Sequence, residues 1–143
     1  MVEIVEFRPN HDCIDDLLEY CIGNPSKDKI QKILLAYAKE KEKYIYCYKK
    51  EKEILGFIGI LDDKEHITIN HIAVAIKSRG LGIGKKLIDY VFDKFLPESI
   101  IAETDDDAVN FYKKVGFEIQ NLPEAYQGIT RYKCKRGITE SHQ

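Results

Sequence analysis

The period of the apolar positions changes several times along this chain, and each change predicts an element. "VEIVEF" at residues 2–7 alternates and predicts a strand. Ile14, Leu17, Leu18 and Cys21 then recur at i, i+3, i+4 and i+7, a helical stripe with Asp12 placed to cap it. Gly23 and Pro25 end that helix, and Ser26 caps a second with Ile30, Ile33, Leu34 and Tyr37 on one face. Residues 43–76 contain three β-rich runs separated by "KKEKE" and "DDKE", an antiparallel meander with polar turns. A glycine-dense turn leads into a helix that runs to about Phe95, with Leu87, Ile88, Val91 and Phe95 as its packing stripe. "SIIAET" (99–104) is a strand, "DDDAVNFYKKVG" a helix, and "FEIQNL" and "TRYKCK" are closing strands. The last residues, "TESHQ", read as a frayed tail.

The order is β-α-α-β-β-β-α-β-α-β-β. The strands at 66–76 and 99–104 flank a helix and are expected to be parallel neighbours. One α/β domain spanning 1–143 follows, a mixed sheet of about seven strands with helices on both faces. Repeats and low-complexity linkers are absent from the sequence.

Composition narrows the function classes. Lys and Arg number 22 against 24 Asp and Glu, a formal net charge of −2, which disfavours a general nucleic-acid binder. No apolar run approaches the ~20 residues of a membrane span, and "MVEIVEFRPNHD" has no signal-peptide pattern, which implies the cytoplasm. Cys13, Cys21, Cys47 and Cys134 form no C-x-x-C pair and have no His at ligand spacing, so no metal is expected. All four sit among apolar neighbours and read as buried thiols.

The glycines carry the chemistry. Gly80, Gly82 and Gly84 precede a helix, and a bare turn there leaves N–H groups and the positive helix end open to an anion. The dinucleotide pattern G-x-G-x-x-G would need Gly where Lys85 stands; the P-loop would need Gly at Arg79 and Ser or Thr at Lys86. R-x-x-G-x-G does fit, as Arg79, Gly82 and Gly84. From these six residues alone, a glycine-rich turn with no ligand fits equally well.

The motif resembles the acyl-CoA-binding signature of the GNAT superfamily of N-acetyltransferases. "HIAV" just before it, "KKLIDYVFDKF" after it and "AVNFYKKVGFE" further on resemble that family's central strand, pyrophosphate helix and A-x-x-F-Y-x-x-x-G-F signature, and the element order matches over the whole chain. "AETDDDAVNFYKKVGF" with "YQGITRYKC" is similar to a bacterial-type single-domain subgroup. The resemblance implies a mostly antiparallel sheet with a central parallel pair. It also implies acetyl-CoA as co-substrate, with Arg79, Gly80, Leu81, Gly82, Ile83, Gly84 and Lys85 around its pyrophosphate. Ile72, Ala73 and Val74 are then expected to pair their backbone with the pantetheine arm, at a bulge that splays this strand from its parallel neighbour. Asp105 takes the place of a coenzyme-contacting Asn.

Tyr112 occupies the family position that faces the coenzyme sulfur and donates to the leaving thiolate, although Ala108, Phe111 and Val115 share its stripe and would suit a core aromatic equally. The glutamate that many relatives place on the central strand is missing. His71, Asn70 and Glu103 are the candidates to accept the amine's proton, and His71 among apolar neighbours is as readily structural. The function implied is N-acetyl transfer to a small primary amine by direct attack in a ternary complex. The other reading is a degenerate member that senses acetyl-CoA without turnover. Acceptor specificity is assigned to the first two helices and the 121–131 loop; exposed terminal strands leave a homodimer open.

Overall fold

The computed structural model describes residues 1–126 and 129–137. Among them, strands β1 (Val2–Glu6), β2 (Lys43–Lys50), β3 (Glu53–Asp62), β4 (His66–Val74), β5 (Ser99–Thr104), β6 (Glu118–Tyr126) and β7 (Ile129–Gly137) form one sheet in the order β1-β2-β3-β4-β5-β7-β6. Four helices accompany them: α1 (Asp15–Glu19), α2 (Lys27–Lys39), α3 (Ile83–Phe95) and α4 (Val109–Lys114). The β4–β5 pair is parallel and the other neighbours are antiparallel.

Alternation along the strands produces two cores. Ile58, Ile60, Ile67, Ile69, Ile100 and Ala102 pack with Leu87, Ile88 and Val91 of α3 and Tyr112 of α4. Cys47, Phe57 and Ala73 pack with Ile14, Leu17 and Leu18 around α1 and Ile30 and Tyr37 of α2. Each fully buried Ile, Leu or Phe contributes about 1.5–3 kcal/mol relative to exposure. Arg136 crosses the first core, donating to the Val115 carbonyl at 2.9 Å and to Asp89 at 3.3 Å, with its guanidinium 4.8 Å from the Phe92 ring centre. It ties the middle of α3 and the C-terminal end of α4 to β7.

Two irregularities in β4 position the site. Its register with β3 passes from Gly59↔His71 to Ile60↔Ile69, so Asn70 is a bulge with no residue opposite. Its ladder with β5 runs from His66↔Ser99 to Ile69↔Ala102 and ends there. A bulge bends and further twists its strand, and the sheet parts at this residue.

Several sequence expectations are corrected. Ser26 does cap α2, accepting the Lys29 N–H. Asp12 does not cap α1, whose N-cap is Ile14 without a side-chain bond; its carboxylate instead accepts the Arg8 N–H and meets Lys49 Nζ at 2.5 Å. The helix expected to begin with the aspartates at 105–107 starts later, after Ala108. Cys13 is exposed rather than buried. The 121–131 segment is largely strand rather than loop, because Asn121 and Leu122 continue the β6–β7 ladder opposite Tyr132 and Arg131. The expected tail, "TESHQ", lies outside the described residues.

Asp12 and Lys49 are both nearly buried. Burial pushes the Asp12 carboxyl up, but the Lys49 hydrogen bond, the Arg8 N–H and the charges of both residues hold it below its usual value. Asp12→Ala strands the Lys49 ammonium and is expected to cost about 3 kcal/mol at neutral pH, read by denaturant unfolding. Because the folded-state value is depressed, this contribution is present above the ordinary carboxylate value and is lost as pH falls through the folded one. The gap between parent and variant should therefore narrow in acid below about pH 4.

Candidate functional site

The turn between β4 and α3 is built to leave N–H groups free. Gly80 and Gly82 have φ of 82° and 80°, a region that side chains disfavour. Lys86 N–H closes the first helical bond, to the Gly82 carbonyl. Among the described residues, the N–H groups of residues 80 to 85 find no acceptor, and no side chain caps α3. A Cβ at Gly80 or Gly82 would meet nothing within 4 Å. Gly84 differs: a Cβ there would lie 2.8 Å from the Phe111 ring. Its bareness seats α4 on α3, and it lines the cleft with its N–H among the open ones.

These residues line one end of a cleft of about 840 Å³ that continues along Ile72, Ala73 and Val74 to Phe111 and Tyr112. Arg79 rims it, donating from Nε to the Val74 carbonyl at 3.1 Å and lying 5.1 Å over the Tyr20 ring. Lys85 is held by Asp89 at 2.7 Å.

The edge that β4 presents to the cleft follows from backbone parity. Ala75 N–H bonds to the Leu55 carbonyl, so the backbones of residues 75 and 73 face β3, and those of 74 and 72 face away. The Val74 carbonyl is met by Arg79 and the Ile72 carbonyl by the Cys21 thiol at 3.4 Å. The Ile72 and Val74 N–H groups therefore point where β5 has departed. Of the three residues expected to pair with an added strand, Ala73 is already turned to β3. Burial pushes the Cys21 thiol up to about 11, so it stays protonated at neutral pH.

Tyr112 stands at the inner end. Its ring is buried between Phe111 and Phe117, with centroids 5.1 and 5.2 Å away. Among the described residues its hydroxyl has no hydrogen-bond partner, yet it is not a sealed polar atom and Tyr112 lines the cleft. Burial, with the nearby thiols of Cys134 and Cys21, pushes its pKa well above the usual tyrosine value. A neutral donor aimed into a cleft results.

The other sheet face carries different groups. Ala102 is buried in the α3/α4 core, so alternation turns Glu103 to the α1/α2 side, where it is exposed and directly opposite Lys133 of β7. His71 is half-buried there, with Nδ1 2.7 Å from Tyr37 Oη. Asn70, the bulged residue, is exposed. Asp105 spends its carboxylate on the Asp107 N–H at 3.0 Å and is not among the cleft-lining residues, which include Asp107 and Ala108. Tyr112 and the His71, Asn70 and Glu103 group thus approach the parting of β4 and β5 from opposite faces.

Sequence reasoning missed Tyr37, Cys21, Tyr20 and Phe111 as site residues. Tyr37 and Phe111 were visible only as members of apolar stripes. Their roles depend on partners 34 residues away, at His71, and on the opposing helix, at Gly84.

A profile described as an acetyltransferase (GNAT) domain matches residues 23–135. An uncharacterized N-acetyltransferase from the lysA 3' region of Bacillus methanolicus is 29% identical over 86 residues, covering 59% of this chain and 72% of that protein. A GNAT-family protein from Desulfovibrio desulfuricans shares the fold with a TM-score of 0.82 at 15% identity, covering 96% of this chain and 99% of the other. An aminoglycoside 6'-N-acetyltransferase complexed with coenzyme A gives 0.76 at 21% identity, covering 95% and 97%. Among the described residues, no helix is long and apolar enough to cross a membrane. With its splayed parallel pair and its open amide turn, the chain belongs to the GNAT acetyltransferase family of acyl-CoA-dependent N-acyltransferases.

Proposed function

We propose that this protein moves an acetyl group from acetyl-CoA to a small primary amine by direct attack in a ternary complex. The observation that carries this reading is the run of unpaired N–H groups at residues 80 to 85, opening on a cleft that ends at the free Tyr112 hydroxyl. Backbone donors at a helix N-terminus suit a pyrophosphate. The outward N–H and C=O groups of Ile72 and Val74 suit the amides of a pantetheine arm laid beside β4 as an added strand. The Ile72 N–H then faces the thioester carbonyl and stabilises the charge that develops on its oxygen. The amine nitrogen attacks the carbonyl carbon and the C–S bond breaks. Tyr112 donates to the departing sulfur, while the amine's proton leaves on the His71, Asn70 and Glu103 side. The aminoglycoside acetyltransferase of the same fold supports an amine acceptor.

Free-thiol release measured over a panel of amines tests this function. Turnover with at least one amine is expected; tight acetyl-CoA binding with no turnover on any amine would instead make the protein an acetyl-CoA sensor. Gly82→Ala forces a side chain into a left-handed backbone that disfavours it by roughly 1–2 kcal/mol and places a methyl in the open anion site. Calorimetry should show coenzyme A affinity reduced about tenfold or more, with a melting temperature only slightly lowered.

Tyr112→Phe keeps the ring and its contacts. Acetyl-CoA affinity and melting temperature should hold, while kcat falls roughly 10- to 100-fold, at or below the low end for general acid catalysis. The loss should shrink with a coenzyme analogue whose thiol is more acidic. An unchanged kcat under chemistry-limited conditions would make Tyr112 a core aromatic only.

A further inference from the structure

Tyr37 reaches from α2 across the sheet to a seat made for its hydroxyl. A Cβ at Gly59 would lie 2.1 Å from Tyr37 Oη, so the hydroxyl occupies the space where residue 59 would otherwise carry a side chain. Gly59 is also the register partner of His71. The hydroxyl therefore meets His71 Nδ1 at 2.7 Å. The two rings contact edge-on, 5.7 Å apart at 61°. A phenylalanine at 37 would fill this core without burying a hydroxyl, and a glycine inside a strand weakens it. The polar arrangement has a purpose other than packing.

A neutral imidazole carries one N–H, and the bond made by one nitrogen decides the state of the other. We propose that Tyr37, seated on Gly59, is a positioning residue: it accepts the His71 Nδ1–H and leaves His71 Nε2 unprotonated to take the proton of the attacking amine. This role presupposes the acetyl transfer proposed above and selects His71 over Glu103 as the proton acceptor. The N–C bond forms, the C–S bond breaks, the ammonium proton moves to Nε2, and the imidazolium later returns it to water. The charge acting on His71 is that of Lys43 on β2; Tyr37 on α2 and Cys21 beyond α1 are neutral, β3 presents only Gly59, and Glu103 stands on β5 on the same face. Burial first, then Lys43, holds His71 below the usual imidazole value, so it is a free base at neutral pH.

Nitrogen-15 NMR of the histidine rings at pH 7.5, in the intact protein, reads the tautomer directly. The parent should show His71 protonated at Nδ1 and bare at Nε2. In Tyr37→Phe, and in Gly59→Ala where both side chains remain but the hydroxyl is displaced, the Nε2–H form should appear. Both variants should lose about tenfold or more in kcat with the KM for acetyl-CoA unchanged. The acid limb of the parent's kcat profile should lie below the ordinary imidazole value of about 6.5. Amine acetylation by a parent whose His71 is protonated at Nε2, or full kcat in folded Tyr37→Phe, would overturn the positioning role alone. Failure of the parent to acetylate any amine would overturn the transferase reading and the proton-accepting role with it.

Discussion

The parting of β4 from β5 is the constraint on which the rest of this molecule depends. Four residue pairs join the two strands, and then the bulge at Asn70 turns β4 away. An interior strand that loses its neighbour exposes N–H and C=O groups that a folded protein must satisfy. Here the carbonyls of Ile72 and Val74 are met by Cys21 and Arg79, and the N–H groups are left for something else. The opening is thus stabilised without being filled. The cleft and both sets of polar groups that approach it follow from that one irregularity.

Glycine is used in three distinct ways around this opening. Gly80 and Gly82 supply left-handed backbone that presents donors to open space. Gly84 supplies a flat helical surface for Phe111, and Gly59 a vacancy within a strand for the Tyr37 hydroxyl. Only the first use belongs to a ligand directly. The other two place aromatic side chains: Phe111 sits beside Tyr112 in α4, and Tyr37 holds His71. On one side of the parting the available group is a neutral donor suited to a leaving sulfur; on the other it is an imidazole kept uncharged by burial. The chemistry needs that separation, because a proton must leave the amine while a hydrogen bond reaches the sulfur.

Much of the fold was legible because its signals are local. Alternation in residues 43–74, the Ser26 cap and the stripe through Leu87, Ile88 and Val91 all depend on neighbours a few positions away. The amide turn was legible for the same reason, since glycine spacing and helix onset are contiguous. Local reading failed where a polar side chain had a stronger distant partner. Asp12 had the position of a cap, but the buried Lys49 ammonium outcompeted a helix terminus for its carboxylate. The aspartates at 105–107 suggested a helix start, but Asp105 closes a turn on Asp107 and delays α4 to Val109. Tyr37 and His71 could not be joined on paper, because their contact requires the register of β3 against β4 and the tilt of α2 across it.

The seating of Phe111 on Gly84 makes one mechanical body of two regions usually treated apart. Gly84 lies in the first turn of the helix whose amides face the anion site, and Phe111 precedes the tyrosine aimed at the cleft's inner end. A Cβ added at residue 84 would lie 2.8 Å from the Phe111 ring, so there is no room for one. A side chain at position 84 would push α4 outward and carry Tyr112 with it, so donor grip and bond cleavage would be disturbed together. The geometry of both ends of the site therefore bears on this residue at once, and altering one end means rebuilding the other.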